Sequence, residues 1–196
     1  MLKLTGGEFR GRTIHTPSGD KTRPTQAKLR QALFNSIFTH LPDAAVLDLF
    51  SGSGCLGFEA LSRGASAVVF VENSKPAGQV IRKNMETLEV EDRATLLNGT
   101  VEGLKAECVR MGPYDVVLAD PPYERGWEMK LLTELDWQAL LKPNGIFCLE
   151  WRPGRTFNPS NIKELPDAVP FLVKTREKNY GESILTTYTR SEGPSV

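Results

Sequence analysis

Four residues late in the chain, Asp120-Pro121-Pro122-Tyr123, close an apolar run with a carboxylate, two prolines and an aromatic ring. Neither proline nitrogen can donate to a ladder, and both fix the backbone, so the carbonyl of Pro121 is free to point into a cleft. A carboxylate beside a carbonyl makes two acceptors, enough for both protons of an amino group. The ring of Tyr123 offers a face on which a planar base can stack. Earlier in the chain, Val46-Leu47-Asp48-Leu49-Phe50-Ser51 runs into Gly52-Ser53-Gly54-Cys55-Leu56-Gly57, a G-x-G-x-x-G spacing, with Glu72 twenty residues beyond Gly52. Taken alone this is the dinucleotide pattern: a tight turn, a close backbone approach and an acid for the ribose. Asp48 weighs against that reading, because a carboxylate at the end of the entering strand repels a pyrophosphate. A zwitterionic cofactor with a free amino group and a sulfonium has the opposite need. His15 and His40 both precede the first core strand, so no nicotinamide-side catalytic set is evident. An ordinary tight β–α turn remains the plain alternative for the glycines.

The elements that must position these residues follow from periodicity. Residues 2–17 read as a Gly-punctuated β segment or hairpin, with turns at Gly6-Gly7 and Gly11. Leu29, Leu33, Phe34, Ile37, Phe38 and Leu41 recur at helical spacing, which predicts a helix over 25–41 with Thr25 as its N-cap. Beyond Pro42, strands and helices alternate. Strands are predicted at 45–50, 67–72, 94–98, 114–120 and 146–151, and helices from the glycine loop to Arg63, then over 75–88, 101–110 and 127–141. Such alternation predicts an α/β fold, a mostly parallel sheet with helices on both faces. Residues 169–177 and 183–189, turning at Tyr180-Gly181, add a closing antiparallel hairpin. The expected organisation is an N-terminal extension over 1–41 packed on a core domain over 42–190, with a frayed tail at 191–196.

The chain has 196 residues, 40% of them hydrophobic and 24% charged, which suits one globular domain. No run approaches the roughly 20 apolar residues of a membrane span, and the first residues lack the apolar core of a signal peptide. Three cysteines without a C-x-x-C pair argue against a disulfide framework and a zinc site, and fit a reducing cytoplasm. Net charge is zero, but residues 1–30 hold seven Lys/Arg against two acids, leaving 17 basic and 22 acidic residues on the remainder. A basic arm on an acidic body fits a phosphate-rich partner, and fits a solvated surface equally well.

The segment from Val46 to Gly54 resembles the first motif of class I S-adenosylmethionine-dependent methyltransferases, which implies a Rossmann-like sheet. On that resemblance Asp48 sits near the methionine amino group and Phe50, Ser51, Gly52, Ser53 and Gly54 wrap the cofactor. Glu72 takes the ribose hydroxyls with Asn73 beside it, Thr100 and Val101 approach the adenine, and Asp120 borders the methyl. Relatives often place an Asp near Thr100, which Asn98-Gly99-Thr100 lacks. Asp120 to Tyr123 resembles the fourth motif of methyltransferases acting on base amino groups, implying Asp120, Pro121, Pro122 and Tyr123 as the catalytic set. Gly6-Gly7-Glu8-Phe9-Arg10-Gly11-Arg12, Thr22-Arg23-Pro24-Thr25, Arg30-Gln31-Ala32-Leu33-Phe34-Asn35 and Lys178-Asn179-Tyr180-Gly181 together resemble the bacterial 16S ribosomal RNA guanine-N2 methyltransferase family. Gln31 departs from the Glu usual there. The resemblance implies transfer to one guanine of 16S rRNA (guanine 966 in the family) within an assembled or partly assembled small subunit, by a cytoplasmic, metal-free monomer. It also implies RNA contacts from Arg10, Arg12, Arg23, Thr25 and Arg30. A DNA adenine-N6 methyltransferase or a non-catalytic RNA-binding relative are the other readings.

Overall fold

The computed structural model describes residues 1–17, 24–122, 126–154 and 162–192, with the side chains of 24–26 outside the description. Its N-terminal segment is a short antiparallel hairpin of β1 (Leu2–Lys3) and β2 (Thr13–Ile14), followed by α1 (Pro24–Ser36) and a 3₁₀ turn over Phe38–His40. The core then runs β3 (Ala45–Asp48), α2 (Cys55–Ser62), β4 (Ala67–Glu72), α3 (Lys75–Leu88), β5 (Ala94–Asn98), α4 (Lys105–Met111) and β6 (Tyr114–Ala119). It closes with α5 (Trp127–Glu134), α6 (Trp137–Leu140), β7 (Leu141–Trp151), β8 (Ala168–Val169), β9 (Leu172–Tyr180) and β10 (Ser183–Arg190). Local chemistry sets several of these bounds. At α3, Ser74 Oγ accepts from the Ala77 N–H at 3.4 Å, Pro76 lies in the first turn, and Glu89 ends the helix in the left-handed region.

The sheet order is β5-β4-β3-β6-β7-β10-β9-β8. Its first five strands pair parallel and its last three antiparallel. The chain therefore moves outward from β3 through β4 to β5, then returns to β6 on the other side of β3. Ligands in open α/β sheets bind beyond the strand carboxyl ends where this reversal opens a crevice.

Side-chain alternation divides the core between the two faces. Val46, Val68, Phe70, Val116, Leu118, Ile146 and Cys148 point to one face, where they meet Phe58 of α2 and Ile81 of α3. Leu4, Phe9, Ile14, Leu33, Phe34 and Ile37 join the same cluster, so the N-terminal segment buries its apolar side against the sheet domain. Leu47, Val69, Val117, Phe147 and Leu149 point to the other face, against Leu131, Trp137 and Leu140.

Several predicted bounds shift. The first helix starts at Pro24, one residue ahead of the expected Thr25 cap, and stops at Ser36. The chain then tightens into the 3₁₀ turn, which swings Phe38 off the apolar face and leaves it 66% exposed. The helix expected over 101–110 begins at Lys105. The one expected over 127–141 breaks at Leu135-Asp136, where Asp136 caps a new turn through the Ala139 N–H at 3.0 Å. β7 begins five residues before the expected start. Its opening Lys142-Pro143-Asn144-Gly145 lacks β-forming residues and carries Asn144 at φ 63 beside a register irregularity. In the closing hairpin, Phe171 turns the chain at φ 66 and separates β8 from a longer β9.

Candidate active site

The entering strand β3 ends at Asp48, and the loop after it is held by its own backbone. Ser51 donates through N–H to the Val71 carbonyl (3.1 Å) and through Oγ to the Asp48 carbonyl (2.9 Å), while the Gly54 N–H closes onto Ser51 O at 2.6 Å. Asn84 of α3 clamps the loop from behind, donating Nδ2 to the carbonyls of Ser53 and His15, both at 3.0 Å. Gly57 lets α2 lie flat on β4, since a Cβ there would come within 2.2 Å of the Phe70 ring. Gly52 differs: its φ is +53, and the space a Cβ would take is open cavity. A side chain there would occupy the ligand's room in a backbone conformation that disfavours it.

Among the described residues, two cavities open along the strand carboxyl ends. The larger, about 360 Å³, lies beyond β3, β4 and β5, with Glu72, Asn73, Gly99, Thr100, Val101 and Trp127 on its wall. The smaller, about 260 Å³, lies between the loop and the N-terminal segment, with Leu2, Leu29, Arg30, Ser51, Ser53 and Glu150 on its wall. Phe50, Gly52 and Asp120 border both. Asp120 thus stands where the contents of the two cavities would meet.

Glu72 accepts from the Gly52 N–H at 2.7 Å and from the Ser74 N–H at 2.6 Å, one bond to each carboxylate oxygen. It fixes the glycine loop against the end of β4 and still presents free lone pairs toward the larger cavity. Thr100 turns its hydroxyl to the Gly103 N–H (3.1 Å), while Val101 is buried on the cavity wall. Phe50 and Trp127 meet edge to face with ring centroids 5.0 Å apart, making an aromatic wall suited to a flat heterocycle.

Asp48 is fully buried beneath the loop and is not among the residues lining either cavity. Its Oδ2 accepts from the Gly57 N–H at 3.1 Å, and its Oδ1 has no hydrogen-bond partner among the described residues. Burial pushes its pKa up to about 7, the Glu72 charge adds to the rise, and the N–H groups of Gly57 and Phe50 oppose it. A buried acid this close to ionisation favours a cation brought to the loop, acting through space.

Arg30, expected among the RNA contacts, is largely buried. It is 6% exposed, donates Nη2 to the Lys3 carbonyl at 3.0 Å and pairs with buried Glu59 at 3.7 Å. Arg30 also stands on the wall of the smaller cavity. Glu59 also takes the Thr5 N–H (2.9 Å), the Thr5 hydroxyl (2.6 Å) and Arg63 Nε (2.8 Å), tying the hairpin, α1 and α2 together. Arg10 and Arg12 are exposed at the opposite end of the sheet. Their turn rests on the last residues of α2 through Ser62, and Arg12 donates to the Thr87 carbonyl near the end of α3. Tyr123, Arg23 and the Thr25 side chain lie outside the described residues, as does the tail from 193.

The sequence reading passed over Trp127, Glu150 and Glu59. Glu150 carried a usable signal, since it closes an apolar run as Glu72 and Asp120 do. Glu59 carried a weaker one, an acid four residues before Arg63 in an otherwise apolar helix. Among the described residues, no group of three His, Cys, Asp or Glu is placed to hold a metal, and no helix is long and apolar enough to cross a membrane.

A parallel sheet reversing at β3, a glycine loop, an acid ending the second core strand and Asp120-Pro121-Pro122 at the crevice together place the chain among the Rossmann-like S-adenosylmethionine-dependent methyltransferases. More particularly, it belongs to the family described as conserved hypothetical protein 95, whose family model matches residues 2–189. The chain is 33% identical over 180 residues to ribosomal RNA small subunit methyltransferase D of Haemophilus influenzae, covering 89% of this chain and 92% of that protein. The Escherichia coli protein of the same name is 35% identical over 142 residues, 71% of this chain and 70% of that one. Among solved structures, the Escherichia coli protein yhhF superposes with a TM-score of 0.81 at 30% identity, covering 97% of this chain and 98% of its own.

Proposed function

We propose that this protein methylates 16S ribosomal RNA at the exocyclic N2 amine of one guanine, guanine 966 in the family, acting as a monomer on an assembled or partly assembled small subunit. The observation that carries the reading is Asp120, followed by Pro121-Pro122, at the cleft beyond the strand carboxyl ends, bordering both cavities beside the glycine loop. The names of the relatives from Haemophilus influenzae and Escherichia coli support ribosomal RNA as the substrate.

The larger cavity fits S-adenosylmethionine. Glu72 would take the ribose hydroxyls, Phe50 and Trp127 would border the adenine, Gly52 would leave room for the chain, and buried Asp48 would favour the ammonium end. When bound, the cofactor supplies an electrophilic methyl group on a sulfonium sulfur. The residues of the chain prepare the acceptor. An exocyclic amine is a poor nucleophile because its lone pair is delocalised into the ring. Asp120 and the Pro121 carbonyl accept its two protons and turn the lone pair toward the methyl. Transfer would form a C–N bond to the amine at the expense of the cofactor's C–S bond, whose electron pair would stay on sulfur. The nitrogen, now cationic, loses one proton through Asp120 to solvent. Asp120 need not be a strong base, since that proton becomes acidic as the methyl arrives. The rest of the rate comes from holding donor and acceptor in line, and the base must leave its stack to enter.

Transfer of labelled methyl to small subunits, naked rRNA and DNA, followed by nucleoside analysis, tests the reading. N2-methylguanosine from small-subunit RNA is the expected product. N6-methyladenosine from DNA would overturn it.

A further inference from the structure

Arg30 is a buried cation that its local partners do not fully balance. The residue is 6% exposed, donates Nη2 to the Lys3 carbonyl at 3.0 Å and lies 3.7 Å from Glu59. Glu59 is engaged more closely by Arg63, at 2.8 Å, and by the N–H and hydroxyl of Thr5. Two guanidiniums thus share one carboxylate, and Arg30 is the one held at the longer distance. Its Nε is buried and makes no hydrogen bond among the described residues. A buried donor without an acceptor costs free energy that a ligand oxygen would recover. The room for such a ligand is the smaller cavity, whose wall Arg30 shares with Ser51 and Ser53 of the glycine loop and with Cys55 and Leu56 from the first turn of α2. The N-terminal end of that helix adds positive potential on the same side. No other Lys, Arg or His is among the described residues lining either cavity.

We propose that Arg30 binds the carboxylate at the methionine end of S-adenosylmethionine, so that the N-terminal segment completes the cofactor site. This rests on the cofactor part of the proposed function and is independent of which base is methylated. Gly52 borders both cavities and places no Cβ between them. A cofactor with its adenosine in the larger cavity would therefore pass its amino-acid chain across the loop into the smaller one. Asp120 and Glu150 on the same wall repel a bare anion such as phosphate. A zwitterion meets both signs: its ammonium suits the acidic side, with Asp48 buried beneath the loop, and its carboxylate suits the guanidinium. Glu59 and the Lys3 carbonyl hold the guanidinium in place before the ligand arrives, which lowers the entropy lost on binding.

S-adenosylhomocysteine, the demethylated product, and its decarboxylated analogue, the same thioether carrying an aminopropyl group, differ only in the carboxylate. Their affinity ratio, measured by calorimetry on the full-length protein, reads this contact without any methyl transfer. The wild type is expected to bind S-adenosylhomocysteine about tenfold to a hundredfold more tightly than the analogue, the range of one charge-assisted pair. Arg30→Met keeps much of the bulk and leaves Glu59 its partners Arg63 and Thr5. It is expected to lower S-adenosylhomocysteine affinity by that same factor and leave the analogue's unchanged, so that the ratio falls to about unity. Arg30→Lys, which keeps the charge, should restore part of the preference. Equal weakening of both ligands by Arg30→Met would mark Arg30 as a structural support only and overturn the proposal, as would a folded variant that keeps the wild-type ratio. Should that variant not fold, the wild type decides: a preference of about tenfold or more supports the assignment, and equal affinity for the two ligands overturns it. Failure of the wild type to bind either ligand removes the cofactor reading itself, and this proposal with it.

Discussion

Asp48 and Asp120 each close an apolar strand, yet their surroundings give them different work. Asp120 is half-buried and borders both cavities, so its carboxylate can meet a ligand directly. Asp120→Ala is expected to abolish methyl transfer while S-adenosylhomocysteine still binds; unchanged turnover would sink the mechanism. Glu72→Ala, which removes the proposed ribose acceptor and the bonds to Gly52 and Ser74, is expected to weaken that binding about tenfold to a hundredfold by calorimetry. Asp48 lies beneath the loop, and a pKa pushed by burial to about 7, from an ordinary carboxyl value near 3.8, makes a stability prediction. A carboxyl whose folded pKa lies above its unfolded value binds its proton more tightly when folded. The contribution of Asp48 to stability is therefore greatest below about pH 4, falls by about 1.4 kcal/mol per unit between pH 4 and 7, and levels off above. Asp48→Asn removes this contribution. Urea unfolding from pH 4 to 8 should show the variant gaining on the wild type up to about pH 7. A constant difference across that range would mean that Asp48 ionises freely.

At the scale of elements, the hairpin, α1 and α2 meet at Glu59, a fully buried acid paired with Arg30 and Arg63. Removing one partner of a buried pair leaves the other charge stranded, a loss of about 3–5 kcal/mol. Glu59→Ala should lower unfolding stability by about that amount and expose the first residues to proteolysis, whereas an unaltered urea midpoint would show that the hairpin is held by its apolar contacts alone. This junction also marks where the sequence was readable and where it was not. β4, α3 and β5 carry strong periodicity between clear turn signals, and their predicted bounds match the observed ones. β7 was half hidden, because Pro143 and Gly145 look like a turn until β6 is there to pair with. The glycine loop, Glu72 and Asp120 announce themselves by spacing along the chain. Glu59 and Arg30 do not, since their pairing is across 29 residues of sequence and exists only once α1 packs on α2. Trp127 is likewise drawn to Phe50 by tertiary packing that no local pattern encodes.

For the molecule as a whole, the turn bearing Arg10 and Arg12 and the cavity-lining Asp120 lie at opposite ends of α2. α2 begins at the glycine loop and ends at Ser62, where the turn bearing Arg10 and Arg12 is docked. Eight helical residues put that turn about 12 Å from the cavities along the helix axis. Neither Arg can touch an acceptor base. If they contact RNA, they hold phosphates at a distance from the target and orient the substrate as a whole. Arg12 also packs over Phe9 and donates to the Thr87 carbonyl, so replacing it disturbs the fold as well as any RNA contact. Arg10 gives the cleaner test, because its side chain is exposed. Arg10→Ala is expected to weaken substrate binding and reduce the slope of log affinity against log salt by about 0.7–0.9, the share of one phosphate contact. With saturating substrate, turnover should stay at the wild-type value. A fall in kcat with an unchanged salt slope would place Arg10 in the catalytic step, contrary to its position at the far end of α2.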